Sequence, residues 1–521
     1  MSIEPSRGVA ALSDGDRADV MAAVNGLNRS LATELHRVDM SVVPEPFQAT
    51  LMRHRPAVAA DPADAVQGLA EVRIDSEAWV QECLARIDQV APGRLAWREI
   101  DAEAALERAQ YLDRERRLGR VHGPLHGVPV ALKDMYDQRG RHSGWGSAMR
   151  DNAPPAAMDS TVAQRLEAAG AIILGTQHMA EFAMSPTGLN VGLGPGRNPW
   201  NVEHVSGGSS SGAGMSVAAG HVPLAIGSDT GGSVRLPAAL CGLSGLKPTQ
   251  HRISVAGVMP LSPSLDCVGP LARSVDMCAW AYAAMAGVDA RDGSCLPLQA
   301  PGAGPAPAAA RQLVLAVPDV SRSPLVSEAM AAAFEQARRT LSEAGVRCIS
   351  VPLPDLDLTG RLGSVLLAVE SAALHRQWID DVNSGYGRQV RRRLSRGLFV
   401  SGMDYYDALR LRAPLLEAFL RDALQGADAL LLPTVPGEAP RVQDTVGADE
   451  SELERRFSTL SAWTRGINYL GVPGLNVPAG FSPAGLPLGI QFIGRPLGED
   501  TLFALGRLYQ SVTDWHRRTP Y

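Results

Sequence analysis

Two serines and one lysine are the residues of this sequence best suited to chemistry. Ser209 and Ser233 each follow a Gly-Gly pair, inside a stretch of small residues from Val205 to Arg235. Glycine lets the backbone adopt conformations closed to other residues and approach a ligand closely, so both serines are predicted to be presented to a ligand. Between them, the small-residue composition predicts a tightly packed helix from Ser210 to Gly220 and a short buried strand from His221 to Ile226. The two serine turns should therefore face one pocket across that helix.

Lys133 stands out because, of 49 basic residues, only Lys133 and Lys247 are lysines. A guanidinium stays charged in a protein, whereas a desolvated lysine can lose its proton near neutral pH and act as a base. The apolar run from Val128 to Leu132 predicts a short buried strand with Lys133 at its end. We therefore expect a partly buried lysine of lowered pKa. The alternative is that Lys133 is a lysine retained by chance in an arginine-rich composition. No chemistry is assigned to Lys247.

Two other patterns suggest binding sites and are interpreted as structural. His122 and His126 are four residues apart, which on a helix could point both at one metal ion, but Gly123 and Pro124 interrupt the helix. The sequence therefore predicts no metal site. The basic run from Arg388 to Arg396 has no interleaved aromatic residues and is predicted to be a solvated helix face rather than a nucleic-acid contact.

Composition limits the protein class. The chain has 521 residues, 45% of them hydrophobic, and a net charge of −6, which predicts a soluble globular protein without a nucleic-acid or membrane partner. Its six cysteines show no CxxC or zinc spacing and are expected to be reduced. Since no apolar leader or membrane span is found, we expect a cytoplasmic protein, and no cofactor is implied.

Residues 1–70 are predicted to form an N-terminal helical arm and connector, ahead of a catalytic domain over 71–521. Residues 14–38 predict an amphipathic helix, because their apolar residues recur at helical spacing: Val20, Val24, Leu27, Leu31 and Leu35. Four prolines between 44 and 62 predict a connector from Val43 to Asp64. The arm could serve packing or dimerisation, and the protein is expected to be a monomer or homodimer.

Several motifs, in order, make the chain resemble the amidase signature family. They are GVPVALKD at 127–134, GGSSSG at 207–212, GSDTGGSVR with the following CGLSGLKPT, and SLDCVGPLARSVDM. The run Asn468 to Pro496 resembles the family's closing segment, so the resemblance covers roughly Ser76 to the C-terminus. Several long motifs in register are far more specific than one short pattern. The resemblance implies an α/β fold with a mixed central sheet covered by helices on both faces.

The resemblance also implies a catalytic triad. In this family the serine of TGGS, here Ser233, is the nucleophile, and the lysine of the KD pair, here Lys133, is the base. The serine of GGSS follows a cis peptide bond, here Gly208–Ser209, and relays a proton between them. The implied oxyanion hole consists of backbone N–H groups: Thr230, Gly231, Gly232 and Ser233.

Further positions are implied around the triad. The substrate pocket is expected to be lined by Ser209 and by the segment of Ala183, Met184 and Ser185. The Ala183 carbonyl is expected to lie near the substrate. Asp229 and Arg235 are expected to orient the nucleophile turn, with an ordinary ion pair as the alternative.

The expected function is therefore that of an amidase acting on a small-molecule carboxylic amide through an acyl-serine intermediate, with ester and carbamate substrates left open. One alternative is the glutaminase (A) subunit of a tRNA-dependent amidotransferase, against which the N-terminal arm and the lack of a basic surface weigh. Another alternative is an α/β-hydrolase, because residues 208–212 match the G-x-S-x-G nucleophile elbow of that class with Ser210 as the nucleophile. No convincing strand precedes this match. A non-catalytic member of the fold is disfavoured by the joint presence of Lys133, Ser209 and Ser233.

Overall fold

The computed structural model describes most of the chain, with gaps near the N-terminus and in three loops. The described residues are 12–35, 38, 46–54, 75–91, 93–301, 312–381, 383–446 and 449–521. Most of the predicted connector at 43–64 lies outside them.

An 11-stranded mixed sheet forms the centre of the molecule, with strand order β1-β3-β2-β6-β8-β7-β12-β13-β11-β9-β10. Its strands are β1 (Trp97–Ile100), β2 (Pro129–Lys133), β3 (Ile172–Gln177), β6 (Leu224–Ser228), β7 (Ser244–Lys247), β8 (Val268–Ala272), β9 (Val314–Pro318), β10 (Arg347–Val351), β11 (Ala429–Pro433), β12 (Gly474–Phe481) and β13 (Pro487–Gly494). A separate pair joins β4 (Arg197–Asn198) to β5 (Asn201–Val205). The strand β2, third from one edge of the sheet, runs parallel to both neighbours, β3 and β6, whereas β6 and β8 are antiparallel.

Helices cover both faces of this sheet. Their bounds are α1 (Asp14–Leu35), α2 (Phe47–Arg53), α3 (Ser76–Gln89), α4 (Ala102–Arg117), α5 (Thr161–Ala168), α6 (Ser211–Ala218), α7 (Arg235–Leu240), α8 (Val275–Met285), α9 (Glu328–Glu343), α10 (Asp357–Leu374), α11 (Arg376–Ile379), α12 (Arg388–Ser395), α13 (Gly402–Arg410), α14 (Arg412–Asp422), α15 (Val442–Val446), α16 (Glu450–Leu460), α17 (Arg465–Leu470) and α18 (Glu499–Ser511). The predicted fold class is thereby confirmed.

The alternation of side chains along β2 shows how the two faces are used. Leu132 belongs to the core cluster that also contains side chains of α5, α8, α9 and α18. Its neighbour Ala131 belongs to the cluster on the other face, with side chains of α3, α4 and α6. Since side chains two apart share a face, Lys133 follows Ala131 onto the side covered by α6. The strand thus delivers the lysine to the helix that begins just after Ser209.

The N-terminal arm is a helix, as the apolar spacing predicts, and it packs on the catalytic body through contacts with α10 and α12. The connector prediction needs one amendment, because residues 47–53 form the helix α2. There Leu51 is fully buried, and the Phe47 ring lies 3.8 Å from the Arg412 guanidinium. The prolines therefore flank a short docked helix. The division between arm and domain at residue 70 stays a prediction.

Candidate active site

Lys133 is fully buried at the end of β2 and contacts two serines. Its Nζ donates to Ser209 Oγ at 2.7 Å and to Ser228 Oγ at 2.8 Å. Burial lowers the pKa of Lys133 to about 7, against the opposing effect of the Asp266 and Asp229 carboxylates. A large fraction of this lysine is consequently neutral near pH 7 and can accept a proton.

Ser209 lies behind the pocket rather than in it. The Gly208–Ser209 peptide bond is cis, as the resemblance implies, and Ser209 is fully buried. The backbone passes so close to its neighbours here that a Cβ on Gly208 would lie 2.5 Å from the Ser185 carbonyl oxygen. Only glycine fits at that position, and this close approach fixes Ser209 against Lys133.

Ser233 lies in the turn between β6 and α7 and lines the main cavity, which Ser209 does not. It is 9% exposed, whereas Ser209 has no exposed surface. Of the two serines, only Ser233 can reach a bound substrate directly. Among the described residues no hydrogen bond joins the two hydroxyl groups, although Ser210 N donates to the Ser233 carbonyl oxygen at 3.3 Å. The structure therefore joins Lys133 to Ser209 by a hydrogen bond and joins the Ser233 turn to the residue after Ser209 through the backbone.

The turn before Ser233 carries backbone N–H groups toward the same cavity. Gly232 N–H donates to Asp229 Oδ1 at 2.8 Å. The N–H groups of Thr230, Gly231 and Ser233 have no acceptor among the described residues. Three of the four predicted oxyanion donors are thus free to bind a ligand, while the fourth holds the turn together.

A buried ion pair organises this turn. Arg235 Nε donates to Asp229 Oδ2 at 3.0 Å, and neither side chain is exposed to solvent. Burial raises the pKa of the Asp229 carboxyl, but the charge and hydrogen bonds of Arg235 outweigh it and bring that pKa to about 2. The Nη groups of Arg235 donate to Asp229 Oδ1, Gln491 Oε1, Asn468 Oδ1 and the Thr464 carbonyl oxygen. The same carboxylate also accepts from backbone N–H groups of the turn and of the helix start, so the pair is bonded directly to the turn that carries Ser233.

Sequence reasoning missed four residues of this site. Ser228 and Asp266 lie within the quoted motifs GSDTGGSVR and SLDCVGPLARSVDM, and Asn468 and Gln491 lie in the closing segment. Asp266 Oδ1 accepts from the Thr230 hydroxyl at 2.6 Å, and burial raises the pKa of Asp266 to about 6. The motifs were the available signal, but the contacts join strands distant in sequence and needed the fold.

The segment of Ala183, Met184 and Ser185, predicted to line the substrate pocket, lies at the same cavity as Ser233. Phe182 and Ala183 both have positive φ, 46° and 59°, in the short turn after β3. That turn is enclosed by aromatic rings, since the Phe182 centroid lies 4.8 Å from His375 and 5.2 Å from Tyr386.

The cavity measures about 1010 Å³, and one of its walls is rich in arginine. Arg393 and Arg396 are paired with Glu454. Arg465 differs, because it has no carboxylate within ion-pairing distance among the described residues and its buried Nε has no hydrogen-bond partner. Its Nη2 reaches Ser458, and its Cγ lies 3.5 Å from the position of a Cβ on Gly231. The Asp357 and Glu454 carboxylates act on this guanidinium from beyond ion-pairing distance, and it lies beside the turn that carries Ser233.

The remaining site predictions concern metals and membranes. His122 and His126 are not on a helix, and both ring nitrogens of His126 have protein partners. The described part of the chain holds no group of three or more potential metal ligands. None of its helices has the length and apolar character to cross a membrane.

Known proteins match this chain in sequence and in fold. The amidase family model matches residues 78–503. The A subunit of glutamyl-tRNA(Gln) amidotransferase from Roseiflexus sp. (strain RS-1) is 36% identical over 485 residues, which cover 88% of this chain and 97% of that protein. The peptide amidase structure from Stenotrophomonas maltophilia superposes with a TM-score of 0.72 at 29% identity, covering 91% of this chain and 99% of that one. A chain from the structure of a vestigial protein complex that reveals the evolutionary origins of an s-triazine catabolic enzyme superposes with a TM-score of 0.77 at 31% identity. The match covers 87% of this chain and 98% of that one.

These relatives correct the expected function. An amidase acting on its own was expected, with the amidotransferase glutaminase as the alternative, but several relatives of about 36% identity over most of the chain are A subunits of an amidotransferase. The lack of a basic surface is a poor guide to this choice, because an amide-cleaving subunit of a larger enzyme need not contact nucleic acid itself. The chain belongs to the amidase signature family and is an enzyme that cleaves amide C–N bonds.

Proposed function

We propose that this chain is the glutaminase subunit of an amidotransferase, which hydrolyses the side-chain amide of glutamine and releases ammonia for use by partner subunits. The observation that carries the proposal is the likeness to amidotransferase A subunits across 88% of this chain and 97% of the relative. Because the match runs through nearly all of that relative, it extends beyond the short catalytic motifs.

The charge of the pocket supports a substrate that carries a carboxylate. Burial lowers the pKa of Arg465 to about 10, so this guanidinium is still charged at neutral pH. The Arg465 side chain is partly buried, and its buried Nε is a donor without a partner among the described residues, which is costly unless a ligand supplies the acceptor. The α-carboxylate of glutamine is such an acceptor, and a guanidinium binds carboxylates in a two-pronged geometry.

In the proposed first step, Ser233 attacks the amide carbonyl carbon. As the bond to Ser233 Oγ forms, its proton passes to Ser209 Oγ, and the Ser209 proton passes to neutral Lys133 Nζ. The negative charge that develops on the substrate oxygen is stabilised by the free N–H groups of Thr230, Gly231 and Ser233, each worth roughly 3 kcal/mol. The missing contact between the two hydroxyl groups is expected to form when substrate binds, since catalytic hydrogen bonds are often loose in the free enzyme.

In the proposed second step, the tetrahedral intermediate collapses and the C–N bond breaks. The proton returns from Lys133 through Ser209 to the leaving nitrogen, which departs as ammonia and leaves a glutamyl ester on Ser233. A water molecule then attacks this ester by the same proton route and releases glutamate. No step uses a metal or an organic cofactor.

This proposal also replaces the expected monomer or homodimer. A glutaminase of this kind works beside other subunits, so we propose that partner chains are required for full activity. A tRNA-dependent reaction takes place where translation does, and the cytoplasmic location expected from the sequence belongs to the same proposal.

The test is ammonia release from glutamine by the purified chain, alone and with the remaining amidotransferase subunits of its host. We expect glutamine turnover that rises when those subunits are added. Arg465→Gln should raise KM for glutamine by roughly tenfold or more, the value of a charged hydrogen bond. The matched control is Arg421→Gln, an exposed arginine outside the pocket, which should leave KM unchanged. Turnover of aryl amides without any glutamine turnover, with or without the added subunits, would overturn the proposal.

A further inference from the structure

The N-terminal helix α1 forms part of the cavity that holds Ser233, although the family match begins only at residue 78. Its residues on the cavity wall are Asp19, Val20, Ala22, Ala23, Val24 and Leu27. The motifs that build the catalytic centre therefore do not determine the whole pocket. One wall comes from a segment outside the family match.

Both packing and charge hold α1 at this wall. Val20 and Val24 are 2% and 4% exposed, so their side chains are enclosed between the helix and the body. Asp16 accepts from Arg388 at 3.1 Å and lies 3.3 Å from Arg392. Because Arg392 is itself almost fully buried, its pairing with Asp16 and Asp19 fixes the helix to α12 at a defined position.

The α1 wall differs chemically from the arginine wall. The Asp19 carboxylate of the α1 wall is paired with Arg392, and the side chains of Val20, Val24 and Leu27 are hydrocarbon only. On the other wall, Arg393, Arg396 and Arg465 present guanidinium groups. An apolar wall of fixed position discriminates substrates by size, since one methylene more or less in such a pocket changes reactivity by roughly 10- to 200-fold.

We propose that α1 is a specificity element that sets how long a substrate group can extend from the carbonyl attacked by Ser233. Val20, Val24 and Leu27 limit that length, and the ion pairs of Asp16 and Asp19 keep the limit in place. This inference rests on the proposed role of Ser233 but not on glutamine being the substrate.

The experiment uses the full-length chain and two alkyl fluorophosphonates, one with a short and one with a long chain. Their rates of Ser233 labelling are followed by intact mass and peptide mapping, and the quantity measured is the ratio of the long-chain rate to the short-chain rate. Val24→Ala enlarges the pocket and is expected to raise this ratio roughly tenfold. Val24→Phe narrows it and is expected to lower the ratio by a similar factor. Met21→Ala is the matched control, because Met21 lies on the same helix but is exposed and outside the cavity wall.

The outcomes separate this inference from the proposed function. An unchanged ratio in both Val24 variants, with Ser233 still labelled, overturns the inference whatever the glutamine assay gives. Opposite shifts in the two variants support it, even if the parent chain fails to hydrolyse glutamine and the proposed function falls. A thermal unfolding scan identifies any variant that does not fold. If Val24→Ala does not fold, Leu27→Ala replaces it and is expected to raise the ratio in the same direction.

Discussion

Two buried basic side chains near Ser233 differ in charge state: one is permanently charged and the other titrates near neutral pH. Arg235 and Lys133 both lie out of contact with solvent. Arg235 faces the Asp229 carboxylate and two side-chain amide oxygens, so its charge is compensated. Among the described residues, Lys133 Nζ donates to the hydroxyl groups of Ser209 and Ser228 and to no carboxylate, and burial lowers its pKa to about 7 against the more distant charges of Asp266 and Asp229. Burial with a carboxylate thus gives a permanent scaffold, while burial among hydroxyl groups gives a base that titrates at neutral pH.

Lys247 sharpens this comparison. It is also fully buried, and burial lowers its pKa. Its Nζ donates to the Pro248 carbonyl oxygen at 2.9 Å and lies 3.7 Å from Cys267 Sγ. It contacts no serine of the site and does not line the cavity. A lowered pKa is therefore not enough for a catalytic role, which also needs a hydroxyl path to the substrate.

The largest expected effect comes from converting the titrating cation into a permanent one. Lys133→Arg keeps a positive charge but cannot accept a proton, so we expect kcat/KM to fall about 10³-fold. The same loss is expected for Lys133→Ala. The measurement is steady-state kinetics on glutamine, with a thermal unfolding scan to show that both variants fold. Activity of Lys133→Arg within about tenfold of the parent would show that the lysine acts as a fixed cation.

The second-largest effect is expected from disrupting the Asp229–Arg235 ion pair while leaving Lys133 unchanged. Asp229→Asn leaves Arg235 buried without its counter-charge, so the free energy of unfolding should fall by about 3–5 kcal/mol. Urea unfolding of the variant and the parent measures this loss. Asp422→Asn is the control, since its ion pair with Arg421 is exposed, and it should change stability little. Equal stability of Asp229→Asn and the parent would contradict the scaffold interpretation.

The sequence predicted the strand that ends at Lys133 and the helix after Ser209, because hydrophobic periodicity and residue composition are local signals. The fold class was implied by the resemblance to the amidase signature family. It did not predict Ser228 as a second partner of Lys133, nor that Gly232 N–H would be occupied by Asp229. The first contact depends on how β2 and β6 come together, and the second depends on the detailed conformation of the turn from Asp229 to Gly232. The place of α1 in the substrate pocket was also missed, since periodicity shows that a helix has an apolar face but not what that face covers.

The smallest expected effect comes from trimming the hydroxyl surroundings of Lys133. Ser228→Ala removes one acceptor that favours the charged ammonium, so the pKa of Lys133 should fall further, by about one unit. The acidic limb of the pH profile of kcat/KM should move to lower pH by the same amount, with the maximal rate changed by roughly tenfold or less. A shift to higher pH would mean that Ser228 does not stabilise the charged form.

The central claim, that neutral Lys133 activates Ser233 through Ser209, is tested most directly by the pH dependence of Ser233 acylation in the parent chain. The protein is incubated with a fluorophosphonate at a series of pH values, and the rate and position of labelling are read by intact mass and peptide mapping. Because only the neutral lysine accepts a proton, the account predicts labelling at Ser233 with a rate that is constant above a midpoint near pH 7. Below that midpoint the rate should fall by roughly tenfold per pH unit. Labelling at Ser210, or a rate at Ser233 that does not change across this range, would contradict the account.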